Sequence, residues 1–237
     1  MKIVRLKSIE KVNLLHPRDF ELIPKNLITN IRQWGLMTDG LGMPWLVGNE
    51  LRRIICMPIL YFLITLHGIK IGDSWRVYGM PIIQKYRGSR IEIGERFWIR
   101  SWRSSNPLVP NHPVVLATRS PEAEIKIGND VGLSGTTIVS SCSIFIGNRV
   151  LIGSNSTLVD TDFHPLDWVE RQLNPLNGKS APIVIEDDVF IGMNCVVLKG
   201  VRIGRGAVIG AGSVVTHNIP AGCIAVGNPG LVIRDLK

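Results

Sequence analysis

The second half of the chain places apolar residues at every sixth position. One series of sixth residues is entirely aliphatic, and a second series, four residues out of phase, is mostly small or medium-sized. The first is Ile185, Ile191, Val197, Ile203, Ile209 and Val215, and the second is Val189, Cys195, Val201, Ala207, Ser213 and Ile219. Six is a multiple of two and not of the helical period of about 3.6, so the pattern predicts short extended segments joined by turns. A repeat of this length is typical of a hexapeptide β-helix, whose coils bury their apolar residues by stacking on one another.

The same period continues upstream with interruptions. Positions in phase are Ile127, Leu133 and Val139, then, after a one-residue slip, Ile146, Ile152 and Leu158, with weaker echoes at Ile71, Val77, Ile83, Ile93 and Ile99. The repeat domain is therefore predicted to span residues 70–237, with inserted loops near 102–124 and 160–182 and an N-terminal extension over 1–69. An antiparallel sandwich is the alternative, but its strands recur at roughly 8–12 residues without a strict period. We therefore predict an all-β chain with a partly helical N-terminal extension.

Three segments carry a resemblance to a known family. They are the run IEDDVFIG from Ile185, the run IGAGSVVTHNIPA from Ile209 with the closing GNPGLVIR from Gly227, and the loop DTDFHPLD from Asp160. The chain resembles the hexapeptide-repeat acyltransferases, and the loop resembles the catalytic loop of their sugar O-acetyltransferase branch. This resemblance implies a left-handed parallel β-helix, assembled as a homotrimer with acetyl-CoA between adjacent subunits.

The charge of the chain is unevenly distributed. The net charge is +8, but residues 1–120 contain 18 Lys and Arg against 8 Asp and Glu, whereas residues 121–237 contain 9 against 11. The basic half is expected to face an anionic membrane surface, a phosphate-bearing sugar carrier or a charged polysaccharide. No nucleic-acid-binding motif accompanies the basic residues, so nucleic acid is not an expected partner. The four cysteines lack metal-ligand spacing, which favours a reduced cytoplasmic compartment.

An apolar run near the N-terminus allows two interpretations. Thirteen residues from Ile54 to Leu66 pass without a charge, which is too few for a transmembrane helix of about 20 residues. Pro58 is expected to kink or delimit any helix here. The run would form either a short helix that caps the open end of the β-helix or a peripheral membrane contact assisted by Arg52 and Arg53. Residues 1–49 show no sustained period, and their early charges do not fit a secretory signal.

The loop histidine is the expected general base. Transfer of an acetyl group to a sugar hydroxyl requires that the hydroxyl lose its proton, and a neutral imidazole suits this task at ordinary pH. His164 matches the catalytic histidine of the family. Either Asp160 or Asp162 could accept the N–H of its other ring nitrogen, and the alternative is that both aspartates form turns.

Coenzyme contacts follow from the resemblance, one position at a time. A backbone N–H in the Gly192-Met193 segment matches the family's oxyanion donor. Positions matched to coenzyme contacts are Ala211 and Thr216 along the pantetheine cleft, His217, and Arg234 at the phosphates. The family usually has Lys where His217 stands and Lys or Arg at Leu231, so we expect weaker coenzyme binding.

Acceptor contacts are expected from Asn155, Asn111 and His112. For Asn111 and His112 the alternative is a turn made rigid by prolines. A γ-class carbonic anhydrase would need three histidines on neighbouring coils, and only His164 and His217 lie beyond residue 125, so no metal is expected. The sequence therefore predicts an acetyl-CoA-dependent O-acetyltransferase acting on a surface polysaccharide or its lipid-linked precursor. An N-acetyltransferase acting on an amino sugar or amino acid and a non-catalytic β-helix binding protein are the alternatives.

Overall fold

The computed structural model describes residues 44–236, which form one long helix followed by a left-handed β-helix. Its wall consists of three sheets, which are parallel except for the last strand of the second sheet, and successive coils contribute one strand to each sheet in turn. The first sheet contains β1 (Lys70–Ile71), β4 (Arg90–Ile93), β7 (Glu124–Ile127), β10 (Ser143–Ile146), β13 (Ile183–Ile185) and β16 (Arg202–Ile203). The second contains β2 (Arg76–Tyr78), β5 (Trp98–Arg100), β8 (Gly132–Ser134), β11 (Leu151–Ile152), β14 (Phe190–Ile191), β17 (Val208–Ile209), β19 (Cys223–Val226) and β20 (Leu231–Asp235). The third contains β3 (Ile82–Gln84), β6 (Val115–Thr118), β9 (Thr137–Ser140), β12 (Thr157–Val159), β15 (Val196–Leu198) and β18 (Val214–Val215).

Both series of sixth residues point into the core. The aliphatic series from Ile185 to Val215 is fully buried, and the series from Val189 to Ile219 is at most 4% exposed. Partners one coil apart lie in register, as when Ile152 pairs with Ile191 and Ile191 with Ile209. Each aliphatic residue therefore stacks on its equivalent in the next coil, which explains why the period is strict.

One upstream position departs from the predicted phase. Val139 was expected to enter the core, but Ile138 is the fully buried residue of β9 and Val139 is only half-buried. The shortened step falls between Leu133 and Ile138, because the corner between these two strands contains one residue fewer. The prediction for Val139 is therefore wrong by one position, which reverses the direction of a side chain in a strand.

The two connections leave the wall at different corners. The first joins β5 to β6 through residues 101–114, with a 3-10 turn at Arg103–Ser105. The predicted insertion at 102–124 is thus too long at its C-terminal end, since Val115–Thr118 pairs with β3 and β9. The second connection runs through residues 160–182 and contains helix α2 (Trp168–Leu173). It leaves at the corner between the third and first sheets.

Helix α1 (Pro44–Leu66) precedes the first coil and is longer than the predicted short helix. It passes through Pro58, although a proline removes one backbone donor. Leu60 and Ile64 on the following turns are buried in the same core cluster as the first coil, and this packing stabilises the helix beyond the proline. No helix among residues 44–236 is long and apolar enough to cross a membrane.

Candidate active site

The loop of residues 160–182 is fixed to the wall at both of its ends. At its start, Ala181 N–H donates to the Asp160 carbonyl at 2.9 Å, and at its end Gly200 N–H of the next coil donates to the Ala181 carbonyl at 3.1 Å. Asp162 N–H donates to the Lys179 carbonyl at 3.0 Å. These bonds join the two limbs of the loop, so the residues between them are held at one corner of the β-helix.

The Asp160 side chain is hydrogen-bonded to residues of the β-helix wall. Its side chain is fully buried and accepts hydrogen bonds from Ser140 Oγ at 2.7 Å, Ser141 N–H at 2.6 Å and Cys142 N–H at 3.0 Å. Burial first, and the charge of this carboxylate second, raise the pKa of the Cys142 thiol to about 11. Asp160 therefore closes the turn between β9 and β10 and does not contact His164, so its predicted role as an orienting carboxylate has no support in the geometry.

A backbone carbonyl holds the histidine. His164 Nδ1 lies 2.5 Å from the Pro175 carbonyl oxygen, and the His164 N–H donates to the Asp162 carbonyl at 2.7 Å. Because a carbonyl can only accept, Nδ1 carries the hydrogen of this bond, so in a neutral ring the lone pair lies on Nε2. The His164 side chain is exposed. The geometry thus selects the tautomer in which a neutral imidazole takes a proton through Nε2.

Asp162 accepts the His164 N–H through its carbonyl, and its side chain pairs with Lys199. Its Oδ1 is 2.9 Å from Lys199 Nζ, and its buried Oδ2 has no hydrogen-bond partner among the described residues. The Asp162 side chain is not the partner of the His164 ring. Neither Asp160 nor Asp162 therefore accepts a hydrogen bond from the His164 ring, because the Pro175 carbonyl is the acceptor for Nδ1.

A glycine makes the turn at the histidine sterically possible. A Cβ on Gly178 would lie 2.5 Å from the Phe163 carbonyl carbon and 2.6 Å from the His164 nitrogen. Such a contact is far below van der Waals distance, so only glycine lets the returning limb pass here. Phe163 itself has a positive φ of 61°, and Arg119 stacks over its ring at 5.1 Å. Close packing of the two limbs therefore positions His164.

The predicted coenzyme residues lie at the corner between the second and third sheets. A Cβ on Gly192 would lie 2.5 Å from Ala211 N, so consecutive coils stack here with no side chain between them. The N–H groups of Met193 and Ala211 have no acceptor among the described residues. Two backbone donors are thus available on neighbouring coils, which is the arrangement that binding of a carbonyl oxygen or an amide chain requires.

The other coenzyme candidates lie outside this corner, either across the third sheet from Ala211 or on β20. Thr216 follows β18 and its Oγ1 lies 2.7 Å from His217 Nδ1. Arg234 is an exposed residue of β20, which pairs antiparallel with β19. The structure describes no contact between Arg234 and the Gly192-Met193 corner.

The acceptor candidates meet at the first connection. Asn111 N–H donates to Asn155 Oδ1 at 2.9 Å, and Asn155 adopts a positive φ of 64°. His112 Nδ1 lies 2.8 Å from the Pro113 carbonyl. Asn155 thus holds the backbone of the connection through residues 101–114, and the side chain of Asn111 remains exposed.

One chain does not bring all the candidates together. Lys199, the partner of Asp162, directly follows β15, whereas Met193 precedes the same strand. At about 3.3 Å per residue, the width of the third sheet separates the histidine loop from the Met193 corner by more than ~10 Å. Among residues 44–236, no group of three or more His, Cys, Asp or Glu side chains could hold a metal ion.

Comparison with known proteins places these features in a family. A family model described as the hexapeptide repeat of succinyl-transferase matches residues 182–217. The galactoside O-acetyltransferase of Lactococcus lactis is 42% identical over 101 residues, covering 43% of this chain and 47% of that protein. Residues 182–217 thus match the hexapeptide-repeat family, and the chain is similar to an O-acetyltransferase over 101 residues.

Two further matches differ in the acceptor that their names give. The 2,3,4,5-tetrahydropyridine-2,6-dicarboxylate N-acetyltransferase of Staphylococcus aureus is 50% identical over 56 residues, 24% of this chain and 23% of that protein. A variant of the N-acyltransferase AntD from Bacillus cereus, solved with dTDP-4-amino-4,6-dideoxyglucose and coenzyme A, has a TM-score of 0.58 at 17% identity over 75% of this chain and 89% of that chain. This last likeness shows the fold. The chain spans about half the length of the first of these relatives and about a quarter of the second.

Sequence reasoning missed three residues of this candidate site. Pro175 acts through its carbonyl, which any residue could supply, so no side-chain signal marks it. Lys199 directly follows a predicted strand, and its pairing with Asp162 requires the path of the loop. Gly178 could have been suspected as a glycine within a long connection, although its contact with His164 is visible only in three dimensions.

Proposed function

We propose that this protein transfers an acetyl group from acetyl-CoA to a sugar hydroxyl, with His164 as the general base. The observation that carries this proposal is the 2.5 Å contact between His164 Nδ1 and the Pro175 carbonyl. It fixes the tautomer, exposes Nε2 and needs no carboxylate. A positioned base of this kind contributes about 10²–10⁴ in rate.

The histidine would move one proton twice. Nε2 takes the proton of the acceptor hydroxyl as the hydroxyl oxygen attacks the carbonyl carbon of the acetyl group. The imidazolium then gives that proton to the departing thiolate, which restores the neutral ring. Nδ1 keeps its own hydrogen throughout, and the Pro175 carbonyl that accepts it stabilises the positive charge of the ring between the two transfers.

The Met193 corner fits the coenzyme. Acetyl-CoA supplies a thioester, whose carbonyl oxygen gains negative charge during attack. The Met193 and Ala211 N–H groups can stabilise this charge or bind the amide groups of the pantetheine chain, whereas Thr216 lies across the third sheet, just after β18. Arg234 supplies a cation for phosphates, whereas His217 and Leu231 provide less positive charge than the lysine or arginine usual in the family.

A homotrimer would complete the site. The histidine loop and the Met193 corner lie on opposite sides of the third sheet, so a substrate that contacts both is more easily bound between two copies. The second sheet carries an apolar outer surface suited to association, since Leu151 and Phe190 pair directly and are 52% and 47% exposed. We propose that the histidine loop of one subunit faces the coenzyme corner of another.

The acceptor would bind between the two connections. A groove of about 600 Å³ lies along residues 173–177, beside the carbonyl that holds His164. The exposed Asn111 and the half-buried His112 can hydrogen-bond sugar hydroxyls, and Asn155 fixes the backbone that presents them. A surface polysaccharide or its lipid-linked precursor fits this open arrangement.

The test is transfer of acetyl from acetyl-CoA to a panel of sugars, with His164→Ala as the key variant. The variant is expected to melt like wild type and to lose about 10²-fold or more in kcat. His67→Ala is the matched control, because His67 Nδ1 also lies 2.7 Å from a carbonyl, that of Leu63, at a distant position. A His164→Ala enzyme within about tenfold of wild type would remove this residue from the base role.

N-acetylation is the second candidate, favoured by the identity with the Staphylococcus aureus N-acetyltransferase. Paired acceptors that differ only by an amine or a hydroxyl at one carbon separate the two reactions. A preference for the amine would overturn O-acetylation and leave the role of His164 to be tested on that substrate.

A further inference from the structure

The side of helix α1 that faces the protein is polar over its first half. Asn49 and Arg53 are buried, at 4% and 6% exposed. Asn49 Nδ2 donates to the Ser104 carbonyl at 2.8 Å, and Arg53 Nε pairs with Glu50 at 2.7 Å. Tyr78 OH donates to the other oxygen of Glu50 at 2.5 Å. Hydrogen bonds therefore attach this half of the helix to the first connection and to β2.

The opposite side of the helix is apolar and uncovered by the described residues. Its central row, which we call the outer stripe, follows helical spacing. The outer stripe consists of Leu51, Ile55, Ile59, Phe62 and Leu66, which are 58%, 71%, 57%, 65% and 68% exposed. Its flanks are also exposed and apolar, with Ile54 and Tyr61. Seven large side chains present on the order of 10³ Å² of apolar surface, whereas patches on ordinary monomers reach a few hundred Å².

This arrangement inverts the polarity of an ordinary surface helix, which turns its apolar side to the protein. The outer stripe extends over about 22 Å at 1.5 Å per residue, along a single helix. A bilayer surface covers such an elongated apolar row without needing a complementary groove. The helix is not apolar enough to cross a membrane, so it would lie along the membrane.

Charge indicates the type of membrane. Residues 44–120 contain eleven Lys and Arg against four Asp and Glu. Arg52 is exposed beside the outer stripe, and Lys70, just beyond the helix, is exposed as well, although its Nζ lies 3.2 Å from a Glu92 oxygen. We propose that α1 is an interfacial helix that docks the protein on an anionic lipid bilayer, with the outer stripe among the acyl chains and these cations at the headgroups.

The structure also joins the two interpretations of this segment. Leu60 and Ile64 pack against the first coil, while no described residue covers the outer stripe, so one helix can both cover the end of the β-helix and bind a membrane. Arg53, however, points to the wall and pairs with Glu50, so it does not supply the attraction assigned to it from sequence.

Vesicle co-sedimentation of the full chain tests the proposal without reference to acetyl transfer, so the two proposals can fail separately. Vesicles of phosphatidylcholine alone are compared with vesicles that also contain phosphatidylglycerol. The protein is expected to bind the anionic vesicles, less so at high salt. Ile55→Glu combined with Phe62→Glu should lower this binding by about tenfold or more, and Arg52→Glu by a few-fold.

The matched control is Leu231→Glu with Ile233→Glu. These residues of β20 are 61% and 62% exposed, so the change in charge and apolar surface is equivalent, and vesicle binding should not change. Circular dichroism verifies the fold of each variant. The proposal is wrong if the full chain does not co-sediment with anionic vesicles. It is also wrong if the Ile55→Glu and Phe62→Glu variant binds like wild type, which would place binding in residues 1–43 or another part of the chain. It is also wrong if that variant loses oligomer mass in light scattering without losing vesicle binding, which would make the outer stripe an interface between copies.

Discussion

Replacement of Asp160 by asparagine separates a structural role of this carboxylate from a catalytic one. The side chain is fully buried and accepts two backbone N–H bonds and one hydroxyl bond from the turn at residues 140–142. An asparagine keeps one acceptor oxygen but places an NH₂ group where the second oxygen was. That NH₂ group can only donate, so it cannot accept from the N–H or hydroxyl groups that face it. Hydrogen bonds to charged groups contribute about 1.5–3 kcal/mol each, and an unsatisfied buried donor costs a similar amount.

With one or two bonds lost, Asp160→Asn should lower the free energy of unfolding by about 3–5 kcal/mol. For a chain of this size, roughly 2–4 °C per kcal/mol gives a decrease in melting temperature of about 10 °C. The rate of acetyl transfer, measured well below both melting temperatures, should stay within about threefold of wild type, because Asp160 does not contact His164.

Asp167→Asn is the control for this measurement. It makes the same chemical change in the same loop at an exposed N-cap, where Glu170 N–H donates to the carboxylate at 2.8 Å. Its cost should be about 1 kcal/mol or less. An Asp160→Asn protein that melts like wild type and loses about 10²-fold in rate would refute the structural account and make Asp160 the partner of the base.

Three further predictions concern other parts of the molecule. Burial and the nearby Glu50 carboxylate raise the pKa of Tyr78 to about 12, above its ordinary value of 10.0. The folded state therefore favours the protonated hydroxyl. Its contribution to the free energy of unfolding is fully present below pH 10 and is lost as pH rises toward 12. Urea unfolding of Tyr78→Phe should therefore show a flatter dependence on pH over that interval than wild type, and parallel curves would contradict the assignment. The Cys142 thiol, with a pKa of about 11, should react with iodoacetamide at pH 8 about tenfold more slowly than a cysteine in an unfolded peptide, as measured by peptide mass spectrometry; an equal rate would contradict its burial. Gly178→Ala should displace His164 and lower the rate of transfer by about tenfold or more with little change in melting temperature, and a fully active variant would show that the loop tolerates the Cβ.

The repeat was predictable because it obeys a simple geometric rule. A coil of the β-helix must bring equivalent residues into register, so the period of six from Ile185 to Val215 fixes both the fold and the buried face. Val139 was misassigned because a corner can lose one residue while the strands stay in register, and a fixed step along the sequence does not detect this.

Helix α1 was harder to predict for a different reason. Its buried Asn49 and exposed Ile55 contradict the rule that apolar residues turn inward, so pattern analysis alone does not assign its faces. Pro58 suggested a boundary, but packing of Leu60 and Ile64 outweighs the loss of one backbone hydrogen bond.

The position of the candidate base was predictable, whereas its support was not. A loop motif identified His164, but its ring is held by a backbone carbonyl, and a carbonyl has no residue type that a motif could record. The two aspartates were plausible partners by proximity in sequence. The path of the loop instead directs Asp160 to the turn at 140–142 and Asp162 to Lys199.

The second connection, residues 160–182, leaves after β12 and returns at β13 without disturbing the pairing of either strand with its neighbours. Its length is therefore independent of the register of the wall. A doubling of loop length costs only about 0.6 kcal/mol in closure entropy, so insertions and exchanges here are thermodynamically inexpensive. Related chains could thus diversify by replacing this single segment, and a chimera carrying another loop should still fold on the same frame.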